Sequence, residues 1–292
     1  MRAASALMCV ILLVGGCSRD AHTELTSSDD IGYGSVAWLG DTVYYLTFDS
    51  RDLESSDYVL MRIRPGGRPE TVPFAAPGCL DVPSQFARPT WIIPTGEREL
   101  GVLVSCTDAR AEFRRIDDSG QPVGEPVKVE STGWGIAWTG GETGMVYTQV
   151  QGCGIKTTGG PADDCFGGDY ARLPVVGADG AIHYVSQQCG ADETAPDGTW
   201  LICRHNGAGR EMTLGRGVDF VEAMDVRGGR IVISAEIGGD KGLWLVNGGR
   251  FTKLAGGLFN RVALSPDGSR VAAPTLWRRG SWALRIYAVP AP

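Results

Sequence analysis

Lysine is scarce in this chain: of 27 basic residues only four are lysine, at positions 128, 156, 241 and 253, a bias that accompanies GC-rich coding. Histidine is scarcer, with three residues, His22, His183 and His205, scattered along the sequence. No two cysteines stand at C-x2-C spacing, so the ligand pattern of a zinc site is missing and no metal or other cofactor is expected. G-x-S-x-G and H-E-x-x-H are both absent, which removes the common sequence signs of a serine hydrolase and of a zinc protease. After residue 17 no apolar run is long enough to cross a bilayer. A formal charge of -7 disfavours non-specific binding to nucleic acid or to an anionic lipid surface. Glycine and proline are what the sequence has in quantity, 42 and 16 of its 292 residues. They argue for many turns rather than long helices, in a chain large enough for a full core.

The first seventeen residues, MRAASALMCVILLVGGC, place one positive charge, Arg2, before an unbroken apolar run from Ala6 to Val14. As a helix this run would rise only ~14 Å, about half a bilayer core, which suits the apolar region of an export signal and not a membrane span. The stretch Leu13-Val14-Gly15-Gly16-Cys17 resembles the lipobox of bacterial lipoproteins. That resemblance implies a signal peptide over residues 1–16 and a lipidated Cys17 as the first mature residue. Its acyl chains would hold the protein to the cell membrane or outer membrane, facing the extracytoplasmic side. The polar run from Ser18 to Asp30 reads as a tether.

With Cys9 lost in the signal and Cys17 lipidated, six cysteines remain: Cys79, Cys106, Cys153, Cys165, Cys189 and Cys203. An even number in an exported chain favours disulfides.

Residues 263–273, ALSPDGSRVAA, place a small residue and a large apolar one before a turn and a short apolar strand. The pattern recurs. Ala37-Trp38, Thr90-Trp91, Ala137-Trp138, Val175-Val176 and Ala223-Met224 each precede a glycine-containing turn. After the turns come the β-forming runs TVYYLTF, LGVLVSC, GMVYTQV, AIHYVSQ and RIVISAE. The six anchors average about 45 residues apart, the period of four-stranded propeller blades. A second hairpin follows in most units, as in YVLMRIRPGGRPETV and LWLVNGGRFTKL, with a more polar last strand suited to a rim. The sequence therefore predicts an all-β fold, a six-bladed β-propeller of four-stranded antiparallel blades over residues 31–292. A β-sandwich would use similar hairpins but would not require six like units at one period. Small residues in the first column suit a crowded axis, and the Trp or Leu after them is expected to pack between blade faces.

The sixth unit ends with a third strand, SWALRIYAV. An open sheet edge would remain, so the N-terminal segment, residues about 21–30 within 17–30, is expected to close the last blade. The segment Leu264 to Ala273, LSPDGSRVAA, resembles the PD40, or WD40-like, repeat of TolB-type propellers, in which Ser-Pro-Asp-Gly joins the first two strands of a blade. The other units keep the turn and the period but not Ser-Pro-Asp. The resemblance implies a propeller making protein contacts at a cell envelope. The α/β domain that precedes the TolB propeller is not expected in the short segment after Cys17.

In such blades the connections b–c and d–a share one face, and the b–c connections read as long: 49–57, 151–165, 188–198, 236–242 and 276–281. Long loops on a rigid scaffold make this face the binding candidate. Its acidic cluster Asp49, Asp52, Glu54 and Asp57 lacks the ligand spacing of a calcium loop and reads as a solvated loop. Trp277, Arg278 and Arg279 offer an aromatic and two forks for a carboxylate or an acidic patch. Cys79 and Cys106 fall on this face of adjacent blades and are expected to pair, with Cys153–Cys165 and Cys189–Cys203 preferred over other arrangements of the remaining four. His183, inside a strand, reads as a packed side chain. The resulting expectation is a non-enzymatic, monomeric, membrane-anchored scaffold for an envelope protein or small ligand. The alternative is a propeller hydrolase or lyase, for example on carbohydrate, with an axial carboxylate site.

Overall fold

The computed structural model describes residues 22–51, 58–74, 88–107, 110–130, 135–140, 144–149, 154–158, 165–168, 170–190, 193–196, 198–206, 211–257, 259–275 and 281–291. It is all-β, with six four-stranded antiparallel sheets arranged as the blades of a propeller. The chain opens with β1 (His22–Ser28). Blade 1 is β2 (Ile31–Leu39), β3 (Thr42–Asp49), β4 (Val59–Ile63) and β5 (Glu70–Thr71). Blade 2 is β6 (Arg88–Pro94), β7 (Glu99–Thr107), β8 (Arg110–Asp117) and β9 (Val127–Glu130). Blade 3 is β10 (Ile136–Gly140), β11 (Gly144–Gln149), β12 (Gly154–Thr157) and β13 (Cys165–Gly167). Blade 4 begins with β14 (Arg172–Val176) and β15 (Ile182–Ser186). A two-stranded hairpin, β16 (Gln188–Cys189) and β17 (Glu193–Thr194), then precedes its outer strands β18 (Trp200–His205) and β19 (Glu211–Val218). Blade 5 is β20 (Phe220–Arg227), β21 (Arg230–Ile237), β22 (Asp240–Asn247) and β23 (Arg250–Gly256). Blade 6 is β24 (Ala263–Leu264), β25 (Arg270–Pro274) and β26 (Trp282–Ala288).

The second strand of each blade shows why these sequences stack. A strand sends alternate side chains to opposite faces, and here both faces are covered, so the strand is apolar throughout. In β3, Tyr44 and Leu46 pack with Leu100, Val102 and Val104 of blade 2, while Val43 and Tyr45 pack with Ala272 and Leu284 of blade 6. In β21, Val232 faces blade 6 and Ile233 faces blade 4. The outermost strands carry less of this load: β5 is exposed at both residues, and in β23 Arg250, Thr252 and Lys253 are exposed while Phe251 and Leu254 are half-buried.

Polar ties join neighbouring blades near the axis. The amide of Ile92 donates to Ser35 Oγ at 3.0 Å, blade 2 to blade 1. Arg172 Nη2 donates to Val221 O at 3.1 Å, blade 4 to blade 5, and the amide of Leu264 donates to Asp225 Oδ2 at 2.6 Å, blade 6 to blade 5. Between blades 2 and 3 the contact is aromatic. Phe113 stacks on Trp138 at 5.4 Å, and Gly101 leaves the space beneath the Phe113 ring that any Cβ would fill.

The expected anchors fall on the innermost strands, with one correction. In blades 1, 3, 4, 5 and 6 the first residue of each pair, such as Ala37 or Ala263, packs toward the next blade and the second toward the preceding one. In blade 2 the pair is Trp91-Ile92, not Thr90-Trp91. Trp91 follows a register shift after Pro89 like those that precede Val36, Val175 and Ala223 in other blades, and it takes the position that Ala37, Ala137, Ala223 and Ala263 occupy elsewhere. Two connections are corrected as well. Residues 151–165 are not one loop, because β12 lies inside them and pairs with β11. Residues 236–242 are a tight hairpin whose turn, Gly238-Gly239, takes φ of +58° and +79°, the paired positive φ of a two-residue turn.

β1 pairs antiparallel with β26, from His22 opposite Tyr287 to Ser28 opposite Trp282, and is the fourth strand of blade 6. Leu25 packs against the core between blades 6 and 1, and Thr26 Oγ1 lies 3.2 Å from the Tyr33 hydroxyl. Deleting residues 22–28 should leave β26 as an open edge and lower stability by at least ~2 kcal/mol, a fall of roughly 4–8 °C in melting temperature. Equal melting of the full and trimmed proteins would show that the strand adds nothing.

The Ser-Pro-Asp-Gly turn of blade 6 is held by Asp267. Its Oδ1 accepts from Ser265 Oγ at 2.5 Å and from the Ser269 amide at 3.1 Å, and Oδ2 accepts from Ser269 Oγ at 2.7 Å. These hydroxyls, with the Ser269 amide, hold the carboxyl well below its usual range. A depressed carboxylate contributes stability that is present above its unfolded value and is lost as pH falls through the folded one. Asp267→Ala should therefore melt below the wild type at neutral pH, with the gap closing only in strong acid. A gap independent of pH would contradict this account.

Candidate functional site

The six innermost strands surround an axial cavity of about 90 Å³. Its walls include Ala37, Ala137, Ala223 and Ala263, with three tryptophans, Trp38, Trp91 and Trp138. Small side chains are needed where six strands converge, and blade 2, with Trp91 in that column, narrows the passage. We call the face bearing the b–c and d–a connections the upper face and the opposite one the lower.

Two arginines stand at the upper ends of innermost strands: Arg261 lines the cavity, and Arg172 packs between blades 4 and 5. Arg172 opens β14; its guanidinium lies 3.9 Å from the ring centre of Trp200 and 4.9 Å from that of Phe220. Arg261 precedes β24 and reaches past blade 1 to stack on Trp91 of blade 2, 3.7 Å from the ring centre. Its Nη1 donates to Asn260 O at 2.5 Å, while its buried Nε has no hydrogen-bond partner among the described residues. Burial lowers both arginines, Arg261 to about 10, and the charge of Glu222 acts on each in the opposite direction. Leu173, beside Arg172 and lining the cavity, is the one non-glycine residue with positive φ among the described residues, at +54°. Such a conformation costs ~1 kcal/mol or more and persists where the surroundings impose it. Gly135 makes room for it: a Cβ there would come within 3.2 Å of the Leu173 Cα.

At the lower end of the cavity stands Asp225, its side chain largely but not wholly buried. Its oxygens accept from the amides of Val226 at 2.8 Å and Leu264 at 2.6 Å, and Arg227 Nε lies 3.9 Å away. Burial raises this carboxyl against those three favourable partners. His183 is buried in β15, and desolvation pushes its imidazole down, which keeps it neutral. Among the described residues no three His, Cys, Asp or Glu side chains gather as metal ligands.

The lower face carries a second cavity of about 430 Å³ between blades 1 and 2. Arg62, Arg64 and Arg98 line it, each already holding a carboxylate: Glu70 at 2.9 Å, Asp41 at 3.5 Å and Asp118 at 2.7 Å.

Of the residues singled out from the sequence, Asp49 ends β3 and accepts from Arg51 Nε at 3.0 Å and Nη2 at 2.8 Å, which lowers it to about 2. It belongs to an exposed ion pair with Arg51. Asp52, Glu54, Asp57, Trp277, Arg278 and Arg279 lie outside the described residues, as do Cys17, Cys79, Cys153 and the side chains of Cys106 and Cys165. Cys189 and Cys203 form a disulfide that ties the β16–β17 hairpin of the upper face to β18. Sequence reasoning missed Arg172 and Arg261, whose one local sign is an arginine near the start of an innermost strand.

Comparison with known proteins places the fold. No family model and no curated protein matches the chain. Solved structures do. The β-propeller domain of the trilobed protease from Pyrococcus furiosus superposes with a TM-score of 0.56 at 12% identity, over 88% of this chain and 93% of that one. The soluble aldose sugar dehydrogenase from Escherichia coli gives 0.54 at 11% identity, over 93% and 99%. A chain of the mitotic checkpoint complex gives 0.53 at 10% identity, over 98% and 100%. At these identities the likeness is one of fold.

The Cys189–Cys203 bond spans 14 residues of sequence, for which chain entropy gives ~3 kcal/mol of stabilisation. Changing both cysteines to serine should lower the urea midpoint accordingly, and peptide mapping without reduction should recover the two cysteines linked.

Proposed function

We propose that the protein is a lipid-anchored, extracytoplasmic monomer whose propeller binds a protein or a small ligand at the cell envelope. The observation that carries the reading is where the chain leaves the ring. An outermost strand runs from the lower face to the upper, so β1 starts at the lower face with His22, five residues after Cys17. Five residues span at most ~18 Å. An acylated Cys17 would hold the lower face beside the bilayer and turn the upper mouth, with Arg172, Glu222 and Arg261, toward the compartment.

A hydrolase or lyase acting on carbohydrate would need carboxylates free to act at the axis. Asp225 lines the cavity, and its oxygens are already engaged by two backbone amides, which favours binding over catalysis. Cys17→Ala should release the protein from membranes or block its processing, because the acyl chains are the proposed anchor. A processed Cys17→Ala protein that still fractionates with membranes would overturn the reading.

A further inference from the structure

We propose that the upper mouth of the axial cavity binds a small monocarboxylate, gripped by Arg261 against Trp91. This deepens the binding reading above, on which it rests, by naming the ligand class. Nη1 of Arg261 is committed to the Asn260 carbonyl. That leaves the edge formed by Nε and Nη2, the side of a guanidinium that gives a carboxylate two parallel hydrogen bonds. Nε is buried and unpartnered among the described residues. A buried donor left unmet is costly, so an acceptor belongs there. Stacking on Trp91 holds the guanidinium plane in place and limits the entropy lost on binding.

Size and charge narrow the ligand. A water needs ~10–15 Å³ of such space, so 90 Å³ admits several waters or an acid of roughly five heavy atoms. Ala137, Ala223, Met224 and Val262 supply an apolar wall for a short tail. Glu222 acts on both Arg172 and Arg261, so the three groups together carry one net positive charge. One negative charge is balanced there and a second is repelled, which selects a monocarboxylate over phosphate or a dicarboxylate. The lower cleft makes no such offer, since Arg62, Arg64 and Arg98 are already paired.

The test is a titration of the full chain, purified in detergent, with propionate, followed by calorimetry and tryptophan fluorescence. Propionate should saturate with a Kd of about 0.1–10 mM, while the neutral isostere propionamide and inorganic phosphate should not bind. Arg261→Gln, with its melting temperature retained, should weaken propionate by about tenfold or more. If that variant does not fold, Glu222→Gln decides instead: removing the like charge should tighten propionate at least about threefold and admit phosphate. No saturation by about 100 mM propionate, an equal response to propionamide, or unchanged affinity in the folded variant would overturn the proposal. Acylation plays no part in this titration, so its failure leaves the membrane reading standing, and release from membranes by Cys17→Ala leaves the carboxylate result unaffected.

Discussion

Each blade of this propeller is apolar on both faces, and only a neighbour on either side keeps both out of water. The constraint is visible in single residues: Tyr44 and Tyr45 are adjacent, and one belongs to the interface with blade 2, the other to the interface with blade 6. A sheet built this way has no solvent face to offer, so an incomplete ring would expose a full interface and not a mere edge. Everything nearer the axis follows from the same demand. Six strands can approach only if their facing side chains are small, and the backbone groups left there are met by Ser35, Asp225 and Arg172 from neighbouring blades.

Periodicity made the blades legible in the sequence, because a residue facing a neighbour must be apolar whatever else the protein does. The closing segment was legible for the same reason, since a sixth unit of three strands leaves one place unfilled. Register was less so. Nothing in Arg88-Pro89-Thr90-Trp91 says that Trp91 stands where other blades have an alanine, because Thr90 has the small size expected of that column. Length misled in a different way: the glycine-rich stretch 151–165 conceals β12, whose four residues are too few for a periodic signal. The Cys189–Cys203 pairing was preferred from chain position, and the fold supplies its cause in the side hairpin that folds back onto β18.

The arginines at the axis were invisible for a more general reason. Arg172 and Arg261 stand 89 positions apart in a chain with 23 arginines, and neither lies in a motif. Their significance arises from position: blades 4 and 6 each place an arginine near the start of an innermost strand, and aromatic rings from blades 2, 4 and 5 receive the guanidinium groups. The loops singled out in the sequence are charged, yet the guanidinium groups that meet aromatic rings stand where innermost strands begin. A propeller concentrates what its blades hold in common at the centre, and what distinguishes one propeller from another is read there.

The pairing of β1 with β26 also governs the order of folding. Glu24 and Arg285, in contact across that pair, are 261 residues apart in sequence. During synthesis β1 emerges before the other strands and has no partner until β26 has followed. Blades 1 to 5 can each assemble from local hairpins, which close quickly, but blade 6 waits for the slowest contact the topology contains. Until then two broken interfaces face the solvent at once, one on blade 1 and one on blade 5. The interval between synthesis and closure is thus the period in which this protein is most exposed to aggregation and to proteases.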